Sequence, residues 1–211
     1  MPMEDKRIII NVGRQLGSGG HDIAKMLATD FGCKFYDKEL LNLAAKESGF
    51  SKRFFEQSDE HKGFFKSLLN FHIPCITDAC FYKNDISQES LFQFQSDAIK
   101  KAADEGSCVF VGRCADYVLR EYPNTVSVFI TANMNDRIER VRRRYLCDEE
   151  TAAKIIENQE GDRSSYYNYY TGKRWGHSSS YDLCINSSVL GLDMTEAFIR
   201  AFIRKRFKIE G

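Results

Sequence analysis

Apolar, β-branched runs recur along the chain, and segments with helical spacing fill the gaps between them. The first run, Ile8-Ile9-Ile10-Asn11-Val12, leads into a glycine-rich stretch. Residues 107–112 (Ser-Cys-Val-Phe-Val-Gly), 125–131 (Thr-Val-Ser-Val-Phe-Ile-Thr) and 181–186 (Tyr-Asp-Leu-Cys-Ile-Asn) repeat the pattern, and 33–36 adds a short fifth strand. Between them, apolar positions three and four apart predict helices over 22–31, 88–105, 134–145 and 193–207. Strands that are continuously apolar, rather than alternating, are those buried on both faces. Their alternation with helices predicts an α/β protein with a parallel sheet covered on both sides.

Two stretches break this rhythm. Residues 38–86 are rich in Phe and Lys, have helical periodicity and contain no strand, which reads as a helical insertion at one edge of the sheet. Residues 146–177 begin as an acidic, helix-like stretch. They then turn aromatic and basic, with Arg163 ahead of Tyr166, Tyr167, Tyr169 and Tyr170, and read as a mobile, lid-like arm. With three prolines and no repeat or low-complexity tract, residues 1–211 are expected to form one domain with two excursions.

Composition narrows the function classes. Thirty basic and thirty acidic side chains cancel, so no global field favours nucleic acid or an anionic membrane, and basic chemistry must be local. No stretch approaches the ~18 apolar residues of a membrane span, and no apolar leader precedes the first strand, so a cytoplasmic location is expected. The seven cysteines are unpaired in spacing and read as small buried hydrophobes. Cys114 stands out only because it adjoins Arg113. His61, His72 and His177 suggest no metal spacing and read as structural. The Phe-rich residues 50–71 leave two readings open, core cover or a homodimer contact.

Chemistry concentrates where the first strand ends. Gly17, Gly19 and Gly20 let the backbone turn tightly and aim several N–H groups at one anion, with the following helix adding its dipole. Against the phosphate-loop pattern G-x-x-x-x-G-K-[ST], Arg14 takes the first glycine position, Gly20 the lysine position and His21 the hydroxyl position. Arg14 is the first candidate to supply the missing lysine's charge; the alternative is a loop-bracing salt bridge. His21 suits magnesium badly and reads as a phosphate donor or a helix-start residue. Asp22 either caps the helix or holds magnesium through water, capping being favoured. Asp37 either orients a substrate hydroxyl or magnesium-bound water, or caps a helix.

Arg137, Arg140 and Arg144 are spaced to share one helix face, and arginine suits bidentate phosphate contacts. The alternative is a solvated charged face. Arg113 follows a strand end, where ligands gather in parallel sheets, and can grip an acceptor phosphate. Arg163 can reach a transferring phosphoryl group if the arm closes, with Lys173 and Arg174 in reserve. The tyrosines of the arm read as packing in preference to base stacking, and Trp175 is open between the two.

The stretch 13–36, Tyr36-Asp37-Lys38-Glu39-Leu40, Val111-Gly112-Arg113, Arg137-Ile138-Glu139-Arg140-Val141, Tyr166 to Lys173 and Tyr181 to Ser188 together resemble the cytidylate-kinase-like family. The resemblance implies a three-layer α/β/α P-loop kinase-like fold. It also implies an ATP site at Gly17, Ser18, Gly19, Gly20, His21 and Asp22, and an acceptor site from the 38–86 insertion, Asp37 and Arg113. The activity expected is magnesium-dependent transfer of the ATP γ-phosphoryl group to a small phosphorylated acceptor such as CMP or dCMP, with Arg14, Arg137, Arg140 and Arg163 as catalytic candidates. Two other readings stand beside it, a non-catalytic nucleotide-binding or regulatory module and a kinase of a non-nucleotide metabolite.

Overall fold

In the computed structural model the fold is described for residues 7–38, 41 and 88–209. Contacts divide the chain into two units, 39–98 and the remainder. Most of the 38–86 insertion expected from the sequence therefore lies outside the described residues. Every site residue discussed below belongs to the larger unit.

That unit is built on five parallel strands: β1 (Ile9–Arg14), β2 (Lys34–Tyr36), β3 (Cys108–Val111), β4 (Thr125–Thr131) and β5 (Leu183–Asn186), in the order β2-β3-β1-β4-β5. β1 is central. Ile9 pairs with Cys108 on one side and Thr125 on the other, so the order reverses across β1, and the carboxyl end of β1 is the switch point where parallel sheets place ligands. The helices of the described residues are α1 (Gly20–Asp30), α2 (Gln88–Glu105), of which only the part from Ile99 belongs to this unit, α3 (Ala115–Val118), α4 (Met134–Tyr145), α5 (Glu149–Thr171) and α6 (Ser187–Phe207).

The strand pattern dictates the layers. Ile10 and Val12 point to one face, where Val109, Val111, Val128 and Ile130 join Ile23, Ala24 and Leu27 of α1 and Ile199 and Ile203 of α6 in a buried core. A second cluster, Leu16, Val141, Ala152 and Ile156, seals α4 and α5 beneath the loop that follows β1. Gly13 is a glycine for a steric reason, since a Cβ there would sit 2.6 Å from the ring of its register partner Phe129. That ring also packs edge-on against Trp175 at 5.2 Å and against Tyr181 at 4.8 Å, so Trp175 serves packing.

Two elements differ from the sequence expectation. The 146–177 segment contains a single helix through Gly161. It is capped by the Asp148 side chain, which accepts from Thr151 N at 2.8 Å, and it ends at left-handed Gly172. Its buried residues, Ala152, Ile156, Tyr167 and Thr171, run along its length. The last helix starts six residues earlier than its period suggested. Asn186 caps Ser188 N at 2.9 Å, a first turn forms, and Gly191 (φ 76°) breaks the helix before it resumes.

Candidate functional site

The loop from Gln15 to Gly19 joins β1 to α1 through two left-handed glycines, Gly17 (φ 77°) and Gly19 (φ 76°), a conformation costly for residues with a Cβ. A Cβ on Gly17 would stand 2.6 Å from the Arg137 carbonyl oxygen, and one on Gly19 would run into the Leu192 side chain.

All the carbonyls of this loop are engaged. Gln15 O accepts from Ser18 Oγ at 2.9 Å, Leu16 O from Arg137 Nε at 2.8 Å, and Gly17 O from Arg140 Nη1 at 2.9 Å. Ser18 O accepts from Ser187 Oγ at 2.7 Å, and Gly19 O from the amides of Asp22 and Ile23, each at 3.0 Å. Among the described residues, the N–H groups of Gly17, Gly19 and His21 have no acceptor. Carbonyls held by the scaffold and amides left over at a helix N-terminus make an anion seat.

The structure places Arg137, Arg140 and Arg144, expected to share one phosphate-facing helix face, in three different settings. Arg137 is 3% exposed and commits Nε to Leu16 O, while its terminal nitrogen lies 2.5 Å from Glu160 Oε1. Arg140 commits a donor to Gly17 O. Arg144 is exposed, its guanidinium 5.8 Å from the Tyr145 ring. The first two brace the loop from behind, because a backbone turned to offer amides to an anion leaves its carbonyls needing donors.

Three other arginines converge. Arg14 ends β1, Arg113 follows β3, and Arg163 lies in α5. Gly112, Arg113 and Cys114 are successively left-handed, at φ 76°, 56° and 56°, and two of them pay the Cβ penalty of about 1–2 kcal/mol. Arg14 lies against Gly112 so closely that any Cβ there would strike its guanidinium. Arg163 donates to the Arg14 carbonyl at 3.3 Å, and the Arg113 guanidinium sits 5.3 Å from the Tyr166 ring. Burial, then the charges of Arg163 and Arg113, lower the Arg14 pKa to about 9, with Asp37 pulling weakly the other way. Burial lowers Arg163 as well, against the pull of Glu160. Arg14 has no ion pair among the described residues, so the loop-bracing salt bridge weighed from the sequence is not what holds it.

His21, in the position of the usual hydroxyl, places Nε2 3.3 Å from Asp37 Oδ2 and Nδ1 3.8 Å from Asp22 Oδ1. Asp37 is thus held by His21 at the end of β2. Asp22 sits in the first turn of α1 without forming a side-chain cap, contrary to the capping expectation; Gly19 occupies the cap position. No group of three potential metal ligands occurs among the described residues. Burial pushes the Cys114 thiol up to about 12, which removes it as a nucleophile at neutral pH.

Sequence reasoning missed the outer supports. Glu160 accepts from Leu16 N at 3.3 Å, Gln15 Oε1 accepts from Ala132 N at 3.3 Å, and Asp116 accepts from the buried Tyr167 hydroxyl at 2.7 Å. Only the spacing of Glu160 and Arg163, three apart on one helix face, signalled any of them in advance.

The strand order and a glycine loop at the switch point, ringed by arginines, define a P-loop kinase fold. Shikimate kinase from Bacteroides thetaiotaomicron shares that fold, with a TM-score of 0.50 at 13% identity over 96% of this chain and 99% of that one. Residues 9–189 match the model of the cytidylate kinase-like family, and the chain belongs to that family. It is 27% identical to a cytidylate kinase of Pyrococcus horikoshii over 203 residues, covering 95% of this chain and 91% of that kinase. An uncharacterized protein from Eubacterium ventriosum superposes with a TM-score of 0.72 at 30% identity, over 93% of this chain and 98% of that one. Family and fold together make the chain a kinase-type phosphotransferase. Among the described residues, no helix is long and apolar enough to cross a membrane.

Proposed function

We propose that the protein is a nucleoside monophosphate kinase that transfers the γ-phosphoryl group of ATP to a pyrimidine monophosphate, with CMP or dCMP the first acceptors to test. The observation that carries this reading is the convergence of Arg14, Arg113 and Arg163 beside the loop, close enough that two of them depress the proton affinity of the third. Like charges gathered under burial are stabilised by an anion between them, and phosphoryl transfer presents its negative charge at such a point.

Each group has a role in this reading. The amides of Gly17, Gly19 and His21 hold the donor's inner phosphates, with Ser18 and Gly20 shaping the turn. Arg14 stands in for the lysine, Arg163 meets the moving phosphoryl group, and Arg113 holds the acceptor phosphate. Asp37, fixed by His21, orients an acceptor hydroxyl. Arg137 and Arg140 act one layer out, by holding the loop. The loop at Gly17 and Gly19, packed from behind by Arg137 and Leu192 and with its Gly17, Gly19 and His21 amides left without acceptors among the described residues, fits a polyphosphate. The few carboxylates fit a magnesium ion that enters with ATP and keeps its waters, supplying charge neutralisation there. Work on free nucleotides fits a cytoplasmic location.

The test is ADP release from ATP and magnesium, measured alone and with CMP, dCMP, UMP, dTMP, AMP or GMP. Stimulation by CMP or dCMP, with formation of the diphosphate, is the expected result. Failure of all six to stimulate release overturns the reading and leaves a metabolite kinase or a non-catalytic nucleotide-binding module.

A further inference from the structure

We propose that Glu160 is a positioning residue for the phosphate loop and acts through its reach to the Leu16 amide rather than through its charge. The Leu16 residue is held on both sides. Its N–H donates to Glu160 Oε1 at 3.3 Å, and its C=O accepts from Arg137 Nε at 2.8 Å. Arg137 and Glu160 are themselves joined at 2.5 Å, so a closed ring runs from one side of Leu16 through the ion pair to the other. The two peptide planes flanking Leu16 are thereby fixed, and the second of them carries the N–H of Gly17, the first amide left for an anion.

Glu160 reaches the loop from α5, an element distant in sequence. One turn on, three residues away and on the same face, Arg163 donates to the Arg14 carbonyl at 3.3 Å. A single helix therefore holds the strand end that bears Arg14 and the loop that begins one residue later. A displacement of α5 would shift Arg163 and the Leu16 peptide together. In a loop without lysine, this outer clamp supplies rigidity that the pattern itself does not. A buried ion pair need not add stability, and this one has a specific geometric use.

The inference rests on the reading of the loop as a phosphate seat, but one arm of its test does not. Two variants separate reach from charge. Glu160→Gln keeps an oxygen at the same distance and removes the charge; Glu160→Asp keeps the charge and withdraws it by one methylene. Amide hydrogen exchange at Leu16 and Gly17, in ligand-free protein, reads loop geometry directly. Titration with ATP and with inorganic tripolyphosphate reads the seat. Glu160→Gln is expected to keep Leu16 protection and affinity near wild type, with a lowered melting temperature because Arg137 loses its counter-charge. Glu160→Asp is expected to keep the melting temperature better and to lose about tenfold in both protection and affinity, the worth of one net hydrogen bond. The reverse order, or unchanged exchange in both variants, overturns the proposal and leaves Glu160 as a counter-ion only. If the wild-type protein binds neither ATP nor tripolyphosphate, the phosphate reading fails, and the exchange data still decide the clamp.

Discussion

At the residue scale, the two left-handed loop glycines are constrained differently. Gly17 faces the backbone of Arg137, which cannot move without shifting α4, whereas Gly19 faces the flexible end of the Leu192 side chain. Gly17→Ala is therefore expected to destabilise the protein more than Gly19→Ala, which carries mainly the left-handed penalty of about 1–2 kcal/mol. Thermal unfolding of the two variants, followed by ATP titration, checks the order. Arg14 presents the opposite balance. Its lowered pKa means that its charge is held at a cost in the absence of an anion. Arg14→Ala is expected to reduce turnover by orders of magnitude with an unchanged or raised melting temperature, and a large fall in both would mark Arg14 as structural. The tight turn at the loop glycines was legible in the sequence because glycine breaks the local pattern. The loop contacts of Arg137 and Arg140 were not, because helical spacing shows that side chains share a face but not what lies opposite.

At the element scale, α5 joins loop, arginine and core in one rod. Its boundaries follow from ordinary signals, Asp148 before the acidic turn of Glu149 and Glu150, and Gly172 after Thr171. Its continuity from the acidic stretch into the tyrosine-rich one did not, since composition changes there and Gly161 disfavours helix, a preference that tertiary burial of Ala152, Ile156 and Tyr167 overrides. No neighbour would contact a Cβ at Gly161, and its φ is not left-handed. Gly161→Ala is thus expected to stabilise the protein by about 0.5–1 kcal/mol. Calorimetry checks this, and a drop in turnover alongside it would show that bending at Gly161 serves the reaction. At the far end of the helix, Tyr167→Phe removes one donor from the half-buried Asp116 carboxylate. A loss of about 1–3 kcal/mol is expected from denaturant unfolding. The five strands were legible as apolar runs, with ends displaced by one or two residues. The short α3 and the first turn of α6 were not, because each is fixed by a contact with a distant segment.

At the scale of the whole molecule, α1 and α6 are tied by Asp30, Arg200 and Glu196. Arg200 Nη1 reaches Asp30 at 2.7 Å, and its Nε lies 3.7 Å from Glu196. Burial, more than any other cause, raises the Glu196 pKa above its ordinary value. An acid raised on folding favours the fold when protonated, and that contribution is lost as pH rises through the raised value. Glu196→Gln, which keeps a donor for Asp30, is therefore expected to raise stability near neutral pH and to change it little in mild acid. Urea unfolding at the two pH values checks the sign.

The central strand carries a consequence for how the chain reaches its fold. β1 precedes the other described strands in the chain, yet both its neighbours, β3 and β4, lie about a hundred residues downstream. Among the described residues its backbone partners are both late, and only α1, which packs on Ile10 through Ile23 and Leu27, is at hand to cover one face while the ribosome is still making the middle of the chain. Pairings this distant close slowly, and an exposed apolar strand is a target for chaperones and for aggregation. The strand that later bears the phosphate loop thus waits, during synthesis, without its sheet partners.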